Sequence, residues 1–303
     1  MKERTIYEQI AERTDGGVYI GVVGPVRTGK STFVKRFMEQ LVLPNIENVY
    51  RRERAKDELP QSGSGKTIMT SEPKFVPEEA VEISPDGKSR LSVRLIDTVG
   101  YMVDGAMGAE EDGVPRMVTT PWYDHEIPMT EAAELGTKKV MEGHATLGLV
   151  VTTDGTVTDI PREDYVQAEK RAIADMRATG KPYLVVINSR EPEGQQAKAL
   201  KAALDGEFHI CCMILDCQAV DAQGIGALLN AMLYSFPMTA LRVFLPRWMD
   251  ALERDHPVKT ALYRGLLEAA DGIGSLGQAA QALEALRALP GVQEADFRNI
   301  DPG

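Results

Sequence analysis

Along the first three quarters of the chain, short apolar runs alternate with segments whose apolar residues recur at the spacing of a helix. Residues 18–23 are apolar and largely β-branched, and Gly24 follows them, which predicts a buried strand. The apolar positions within 30–42 then fall on one face of a predicted helix. The same alternation predicts strands at 147–151, 183–187 and 210–215 and helices at 165–177, 196–204 and 225–234. Strands separated by helices indicate a mostly parallel sheet covered on both faces.

One pair of predicted strands departs from this alternation. Residues 81–83 and 91–93 alternate apolar and polar side chains on either side of a Pro-Asp-Gly turn, and the second arm continues to Asp97. This pattern predicts an antiparallel hairpin. Before the hairpin, residues 50–59 are highly charged, which predicts a solvent-exposed helix. Residues 61–74 are polar and rich in glycine and serine, which predicts a mobile loop.

The pattern changes between Pro237 and Pro246. Beyond Trp248 the residues predict helices, which end in a stretch rich in alanine and leucine. We therefore expect one α/β domain over 1–238 and the start of a second domain, α-rich or α+β, over 239–303. The second segment is short for an independent core, so we expect the chain to be part of a longer protein.

Candidate chemistry begins where the first predicted strand ends. Residues 24–31 read Gly-Pro-Val-Arg-Thr-Gly-Lys-Ser, the Walker A or P-loop pattern, between a predicted strand and a predicted helix. Glycines let the backbone wrap a phosphate, and the helix N-terminus favours an anion. Lys30 is expected to reach the outer phosphates, and Ser31 to offer its hydroxyl to Mg²⁺. The expected nucleotide contacts are Gly24, Pro25, Val26, Arg27, Thr28, Gly29, Lys30, Ser31, Thr32, Gly100 and Asn188.

Asp97 supplies a second half of the same site. A carboxylate at the end of a buried strand can hold Mg²⁺, usually through water. Residues 97–100 read Asp-Thr-Val-Gly, and the glycine N–H of such a D-x-x-G turn can sense a γ-phosphate. A hairpin directly before D-x-x-G resembles the translation-factor-related branch of P-loop proteins, most of which are GTPases. The expected fold class is therefore an α/β P-loop NTPase fold of that branch, with a mostly parallel sheet and one antiparallel hairpin.

In that branch a threonine of the loop before the hairpin binds Mg²⁺ and the γ-phosphate. Thr67, Thr70 and Ser71 are the candidates for this role. Residues 63–67 read Gly-Ser-Gly-Lys-Thr and look like the end of a second P-loop. Because Pro60 stands where its first glycine belongs and no strand precedes it, we interpret its lysine, at position 66, as a solvated loop charge.

Two residues depart from the GTPase pattern. Tyr101 follows D-x-x-G where small GTPases carry a water-positioning glutamine. The guanine-reading motif Asn-Lys-x-Asp is replaced by Asn-Ser-Arg-Glu at 188–191. We expect Asn188 to brace the P-loop. We interpret Glu191 as a solvated charge, and the alternative is that it rescues guanine recognition despite its extra methylene.

Composition limits the partners and the compartment. The chain has 45 acidic residues against 34 lysines and arginines, a net charge of −11, so binding of nucleic acid by bulk charge is not expected. No apolar run approaches the roughly 18 residues of a membrane span. Three cysteines lie close together, Cys211, Cys212 and Cys217. An odd, local set is not a disulfide framework and favours a reducing cytoplasm.

Motifs outside the P-loop identify a family resemblance. Residues 22–32, 57–62, 65–70 and 72–77 resemble the stage IV sporulation protein A family. So do Gly-Val-Pro-Arg-Met at 113–117, Thr-Pro-Trp-Tyr at 120–123 and Thr-Thr-Asp-Gly-Thr at 152–156. The similarity covers about residues 5–245 of the chain.

The resemblance implies a cytoskeletal ATPase of endospore-forming bacteria, located in the mother-cell cytoplasm at the forespore surface. Hydrolysis of ATP would drive self-assembly into a static polymer, the base layer for the spore coat. The implied partners are further copies of the chain, the small amphipathic membrane peptide stage V sporulation protein M, and spore coat proteins. Lys30 matches the family's P-loop lysine, Asp97 its Mg²⁺-site aspartate and Thr70 its sensor threonine, whereas Ser71 replaces a second threonine.

We therefore expect Lys30, Thr70 and Asp97 to be the catalytic residues. We expect Ser31, Thr70 and Asp97 to bind Mg²⁺. Two other functions stay open at this point. One is a GTP-dependent molecular switch, and the other is a nucleotide-binding scaffold without significant turnover.

Overall fold

The structure is a computed structural model. It describes residues 5–60, 72–103, 106, 110–111, 114–208, 210–238, 240–271, 273–289 and 291–296. All structural statements below refer to these residues.

The chain begins with a helix, a central strand and the helix that follows the P-loop. Helix α1 (Ile6–Arg13) starts with a capping box, in which Thr5 and Glu8 each accept a hydrogen bond from the other's backbone N–H. Strand β1 (Gly17–Val23) and helix α2 (Lys30–Phe37) follow as predicted. The helix continues as a π-helical turn (Met38–Val42) and a short 3₁₀ turn, and the exposed helix predicted after it is α3 (Val49–Asp57).

The predicted hairpin is confirmed. Strand β2 (Lys74–Ile83) pairs antiparallel with β3 (Leu91–Asp97), with Ile83 opposite Leu91. The first arm is longer than the predicted 81–83, because β2 is an edge strand whose start carries polar and proline residues that resemble a loop in sequence.

The segment after β3 contains two short ladders and a helix that the sequence analysis did not predict. The ladders pair β4 (Glu110–Glu111) with β5 (Val114–Pro115) and β6 (Met117–Val118) with β7 (Ile127–Pro128). Helix α4 (Met129–Gly143) buries a face that consists largely of alanine, glycine and threonine. The buried positions nevertheless recur at the spacing of a helix, so the sequence analysis overlooked a helical pattern that is present.

The rest of the first unit alternates strand and helix, as predicted. The elements are β8 (Leu147–Thr153), α5 (Arg162–Ala178), β9 (Tyr183–Asn188), α6 (Gln195–Phe208), β10 (Cys212–Leu215) and α7 (Ala222–Tyr234). The sheet has the order β10-β9-β8-β1-β3-β2, and every pair except β2–β3 is parallel. This is the predicted α/β P-loop NTPase architecture, a mostly parallel sheet with one antiparallel hairpin.

The chain divides into two compact units, Met1–Met232 and Leu233–Gly303. Within the second unit, a 3₁₀ turn (Arg247–Ala251) precedes α8 (Pro257–Asp271) and α9 (Leu276–Arg287). The sequence-based domain limits, 1–238 and 239–303, stay a prediction. None of the helices in the described part of the chain is long and apolar enough to cross a membrane.

A buried carboxylate on helix α5, Glu169, pairs with Arg162 of the same helix and joins the helix to the end of β8. Glu169 is only 1% exposed, and Arg162 donates from Nη2 to its Oε1 at 2.6 Å. Thr152 at the end of β8 donates its hydroxyl to the other carboxylate oxygen. Because both carboxylate oxygens have partners, this charge is buried without an unsatisfied acceptor.

We expect Glu169→Gln to lower the free energy of unfolding of the first unit by about 2 kcal/mol, because it leaves the Arg162 guanidinium without its anion. Urea unfolding followed by circular dichroism measures this change. Glu163→Gln is the matched control, since Glu163 lies exposed on the same helix, and its effect is expected to stay within about 0.5 kcal/mol. Equal stability of the two variants would show that the buried pair contributes nothing.

Candidate nucleotide-binding site

Two glycines allow the loop between β1 and α2 to pass close to neighbouring strands. Gly24 has a φ of +131°, and a Cβ there would lie 2.2 Å from the carbonyl oxygen of Val151. Gly29 has a φ of +93°, and a Cβ there would lie 2.3 Å from the Asn188 side-chain nitrogen. Both glycines of the P-loop pattern are therefore required by backbone conformation and by space.

The Lys30 ammonium group is buried against its own loop. Its Nζ donates to the carbonyl oxygen of Pro25 at 2.7 Å and to that of Gly24 at 3.3 Å. Burial lowers the pKa of Lys30 to about 8, although the nearby Asp97 acts in the opposite direction. A cation that has lost most of its hydration is stabilised strongly by an arriving anion, so this lysine suits a phosphate group.

Ser31 and Asp97 meet although they are 66 residues apart. The Ser31 hydroxyl donates to Asp97 Oδ2 at 2.6 Å. The second carboxylate oxygen, Oδ1, is buried and has no hydrogen-bond partner among the described residues. Burial raises the pKa of this carboxyl, whereas Ser31 and Lys30 lower it. A hydroxyl beside a carboxylate with an unused buried oxygen fits the oxygen ligands that Mg²⁺ prefers.

The D-x-x-G turn lies directly on the P-loop. Gly100 has a φ of +95°, and a Cβ there would lie 2.2 Å from the Gly24 carbonyl oxygen and 2.5 Å from Lys30 Nζ. At the start of the turn, the Thr98 hydroxyl donates to the carbonyl oxygen of Val22 at 2.9 Å. Gly100 therefore lies close to the Lys30 ammonium group.

Asn188 braces the P-loop. Its Nδ2 donates to the Thr28 carbonyl oxygen at 2.9 Å, and its Oδ1 accepts from the backbone N–H of Cys217 at 3.0 Å. Asn188 thus joins the P-loop to the loop that follows β10. Three residues later Glu191 is exposed, which agrees with its interpretation as a solvated charge.

Tyr101 does not occupy the position of a water-aligning side chain. Its ring is only 2% exposed, and its hydroxyl donates to Asp175 Oδ2 on α5 at 2.7 Å. Burial and the Asp175 carboxylate raise the pKa of the phenol well above its ordinary value. The hydroxyl is therefore a protonated donor that is already committed to Asp175.

The other predicted contacts are distributed unevenly. Val26 is buried in the core, so only its backbone can contribute to the site. Thr28 is buried and donates its hydroxyl to the Pro25 carbonyl oxygen at 3.0 Å, whereas Arg27 and Thr32 are partly exposed. The remaining candidates lie outside the described residues: Thr67, Thr70, Ser71 and the interpreted loop charge Lys66.

One set of contacts beside the site was missed by the sequence analysis. The loop after β8 is tied to the residues after β9, because the Arg190 N–H donates to the Thr156 hydroxyl at 3.0 Å and Gln196 Nε2 donates to the Asp154 carbonyl oxygen at 2.7 Å. The only signal for this loop in the sequence was its match to the family motif at 152–156.

Comparison with known proteins identifies one family. The family model described as "Stage IV sporulation protein A, ATPase domain" matches residues 1–237. The chain is 43% identical to Stage IV sporulation protein A of Clostridioides difficile (strain 630) over 298 residues, which is 98% of this chain and 61% of the relative. It is 42% identical to the proteins of that name from Bacillus anthracis and Bacillus subtilis (strain 168), over 100% of this chain and 62% of each relative.

The chain thus spans about three fifths of the length of these curated relatives. Among solved structures, the cytosolic domain of L. pneumophila FeoB matches with a TM-score of 0.37 at 12% identity, covering 91% of this chain and 90% of that one. The family model, in contrast, matches residues 1–237 of 303, and this chain belongs to the stage IV sporulation protein A family.

Proposed function

We propose that residues 1–238 bind ATP with Mg²⁺ and hydrolyse its β–γ phosphoanhydride bond. The observation that supports this most directly is the meeting of Lys30, Gly100 and the Ser31–Asp97 pair at the P-loop. The matched family model, which carries the description of an ATPase domain, supports the same activity.

Each residue of the site has a role in this proposal. Lys30 leaves the loop carbonyls and stabilises the negative charge on the outer phosphates. Ser31 and Asp97 hold Mg²⁺, which when bound neutralises charge on the β- and γ-phosphates. Gly100 presents its N–H to the γ-phosphate, and Thr70 is the proposed sensor by resemblance. As water bonds to the γ-phosphorus, the bond to the bridging oxygen breaks and ADP leaves.

We propose ATP rather than GTP as the substrate. Guanine recognition in this branch needs an aspartate that accepts from the ring N1 and the exocyclic amine, and a lysine that packs over the ring. Ser189 lacks the lysine stem and is itself buried. The Glu191 side chain is a methylene longer than the required aspartate and is exposed, and Pro192 follows it. These residues therefore do not supply the contacts by which this branch favours guanine.

The wider role that we propose is polymer assembly during sporulation. The relatives are named for stage IV of sporulation. By resemblance, ATP hydrolysis drives self-assembly on the forespore surface in the mother-cell cytoplasm. The polymer recruits spore coat proteins and is itself recruited by stage V sporulation protein M. The alternatives to this ATPase are a GTP-dependent switch and a nucleotide-binding scaffold without turnover. The experiments below distinguish the three functions.

We expect Lys30→Ala to reduce ATP turnover about 100-fold or more and to weaken ATP binding, because the outer phosphates lose their fixed cation. Phosphate release and isothermal titration measure the two effects. Lys35→Ala is the control, since Lys35 lies on the same helix and its side chain is partly exposed and faces Glu39. We expect it to bind and turn over ATP as the wild type does.

Asp97→Ala separates the contribution of the Mg²⁺ site from that of the Lys30 ammonium group. We expect this variant to keep part of the ATP affinity and to lose Mg²⁺-dependent phosphate release. Wild-type phosphate release by either Lys30→Ala or Asp97→Ala would remove that residue from the mechanism.

In a competition titration we expect ATP to displace GTP, and Glu191→Ala to leave the ATP affinity within about twofold, because an exposed carboxylate gains little from a ligand. Tighter binding of GTP than of ATP, weakened by Glu191→Ala, would overturn the adenine assignment. It would favour the GTP-dependent switch.

Light scattering with ATP and Mg²⁺ tests the polymer proposal. We expect the 303-residue chain to scatter more weakly than the longer relative from Bacillus subtilis, because it spans only 62% of that protein. Equal scattering would place the assembly contacts within residues 1–303. Scattering by neither protein would contradict ATP-driven assembly.

A further inference from the structure

Tyr101 is bound to the P-loop through its backbone. Its N–H donates to the Gly24 carbonyl oxygen at 3.1 Å, and its own carbonyl oxygen accepts from the Val26 N–H at 2.8 Å. The P-loop and the segment that contains Tyr101 form an isolated parallel bridge at Pro25 and Tyr101. The residue directly after the D-x-x-G turn is therefore part of the wall of the phosphate-binding loop.

The side chain of Tyr101 is anchored at its other end. Its hydroxyl donates to Asp175 on α5, and its ring lines a very small cavity with Val23, Met141 and Met176. The phenol cannot pivot without losing this hydrogen bond and its packing. The carboxylate acceptor makes the bond stronger than one between neutral groups.

These contacts hold Gly100 from both sides. Before it, Thr98 is bound to Val22 through its side chain and its N–H. After it, Tyr101 is bound to the P-loop by its backbone and to α5 by its hydroxyl. Gly100 therefore has little freedom to move away from Lys30, which it touches.

We propose that Tyr101, held by Asp175, is a positioning residue for ATP hydrolysis: it keeps the Gly100 N–H against Lys30, where the terminal phosphate must lie. This inference rests on the function proposed above. Tyr101 does not touch the phosphate and transfers no proton. Its contribution is the fixed position of a donor that stabilises the charge of the transition state.

This role predicts a particular kinetic signature. The P-loop supplies most contacts to the ground-state nucleotide, so loosening Gly100 affects the transition state more than binding. We expect Tyr101→Phe to lower kcat about tenfold and to change KM by less than about twofold. Asp175→Ala should have the same effect. Asp175→Asn keeps an oxygen acceptor and should restore most of kcat.

The double variant Tyr101→Phe/Asp175→Ala should be no slower than either single variant, because both substitutions break one hydrogen bond. Thr137→Val is the matched control. Thr137 lines the same small cavity, and its buried hydroxyl donates to the Ala133 carbonyl oxygen at 2.8 Å. The substitution removes this hydroxyl. This variant should be less stable but keep the wild-type kcat.

Hydrogen exchange of the nucleotide-free protein gives a readout that does not need turnover. Tyr101→Phe should accelerate exchange of a peptide covering 98–103 at least about threefold, and Thr137→Val should not. Unchanged exchange, or a wild-type kcat in Tyr101→Phe, would overturn the positioning role. Absence of ATP hydrolysis by the wild type would overturn the proposed function instead, and the two failures are thus distinguishable.

Discussion

The parallel pairing of β1 with β3 is the constraint on which the site depends. In this register Val22 lies beside Asp97, so the P-loop and the D-x-x-G turn both leave the sheet at the same edge. Because the carboxyl ends of parallel strands share one edge, residues that are far apart in sequence meet there. The hydrogen bond from Ser31 to Asp97, and the contact of Gly100 with Lys30, follow from this register.

Close packing then determines the electrostatics of the site. Gly24, Gly29 and Gly100 let three segments approach within distances that no Cβ would permit. The same approach buries Lys30 and lowers its pKa to about 8, and it leaves Asp97 Oδ1 buried without a hydrogen-bond partner in the part of the chain that the structure describes. A desolvated cation and a buried anionic oxygen without a partner among the described residues are costly, and the proposed phosphate and divalent cation would relieve that cost.

The departures from the GTPase pattern have structural explanations that differ from each other. Asn188 keeps its role in the P-loop brace, whereas the exposed Glu191 has lost the surroundings of a base reader. Tyr101, where small GTPases carry a water-positioning glutamine, is a buried ring bonded to Asp175 and belongs to the core.

The sequence predicts the alternating strands and helices from the spacing of apolar residues, the hairpin from Pro-Asp-Gly, and the P-loop from its glycine pattern. All three are local signals. Helix α4 was overlooked, although its buried residues recur at the spacing of a helix. The family was recognisable from loop motifs alone. The hydrogen bond of Tyr101 with Asp175, and those of Asn188 with Thr28 and Cys217, were decided only by the tertiary structure. Such contacts join residues on different elements, and no local pattern records which side chains the sheet register brings together.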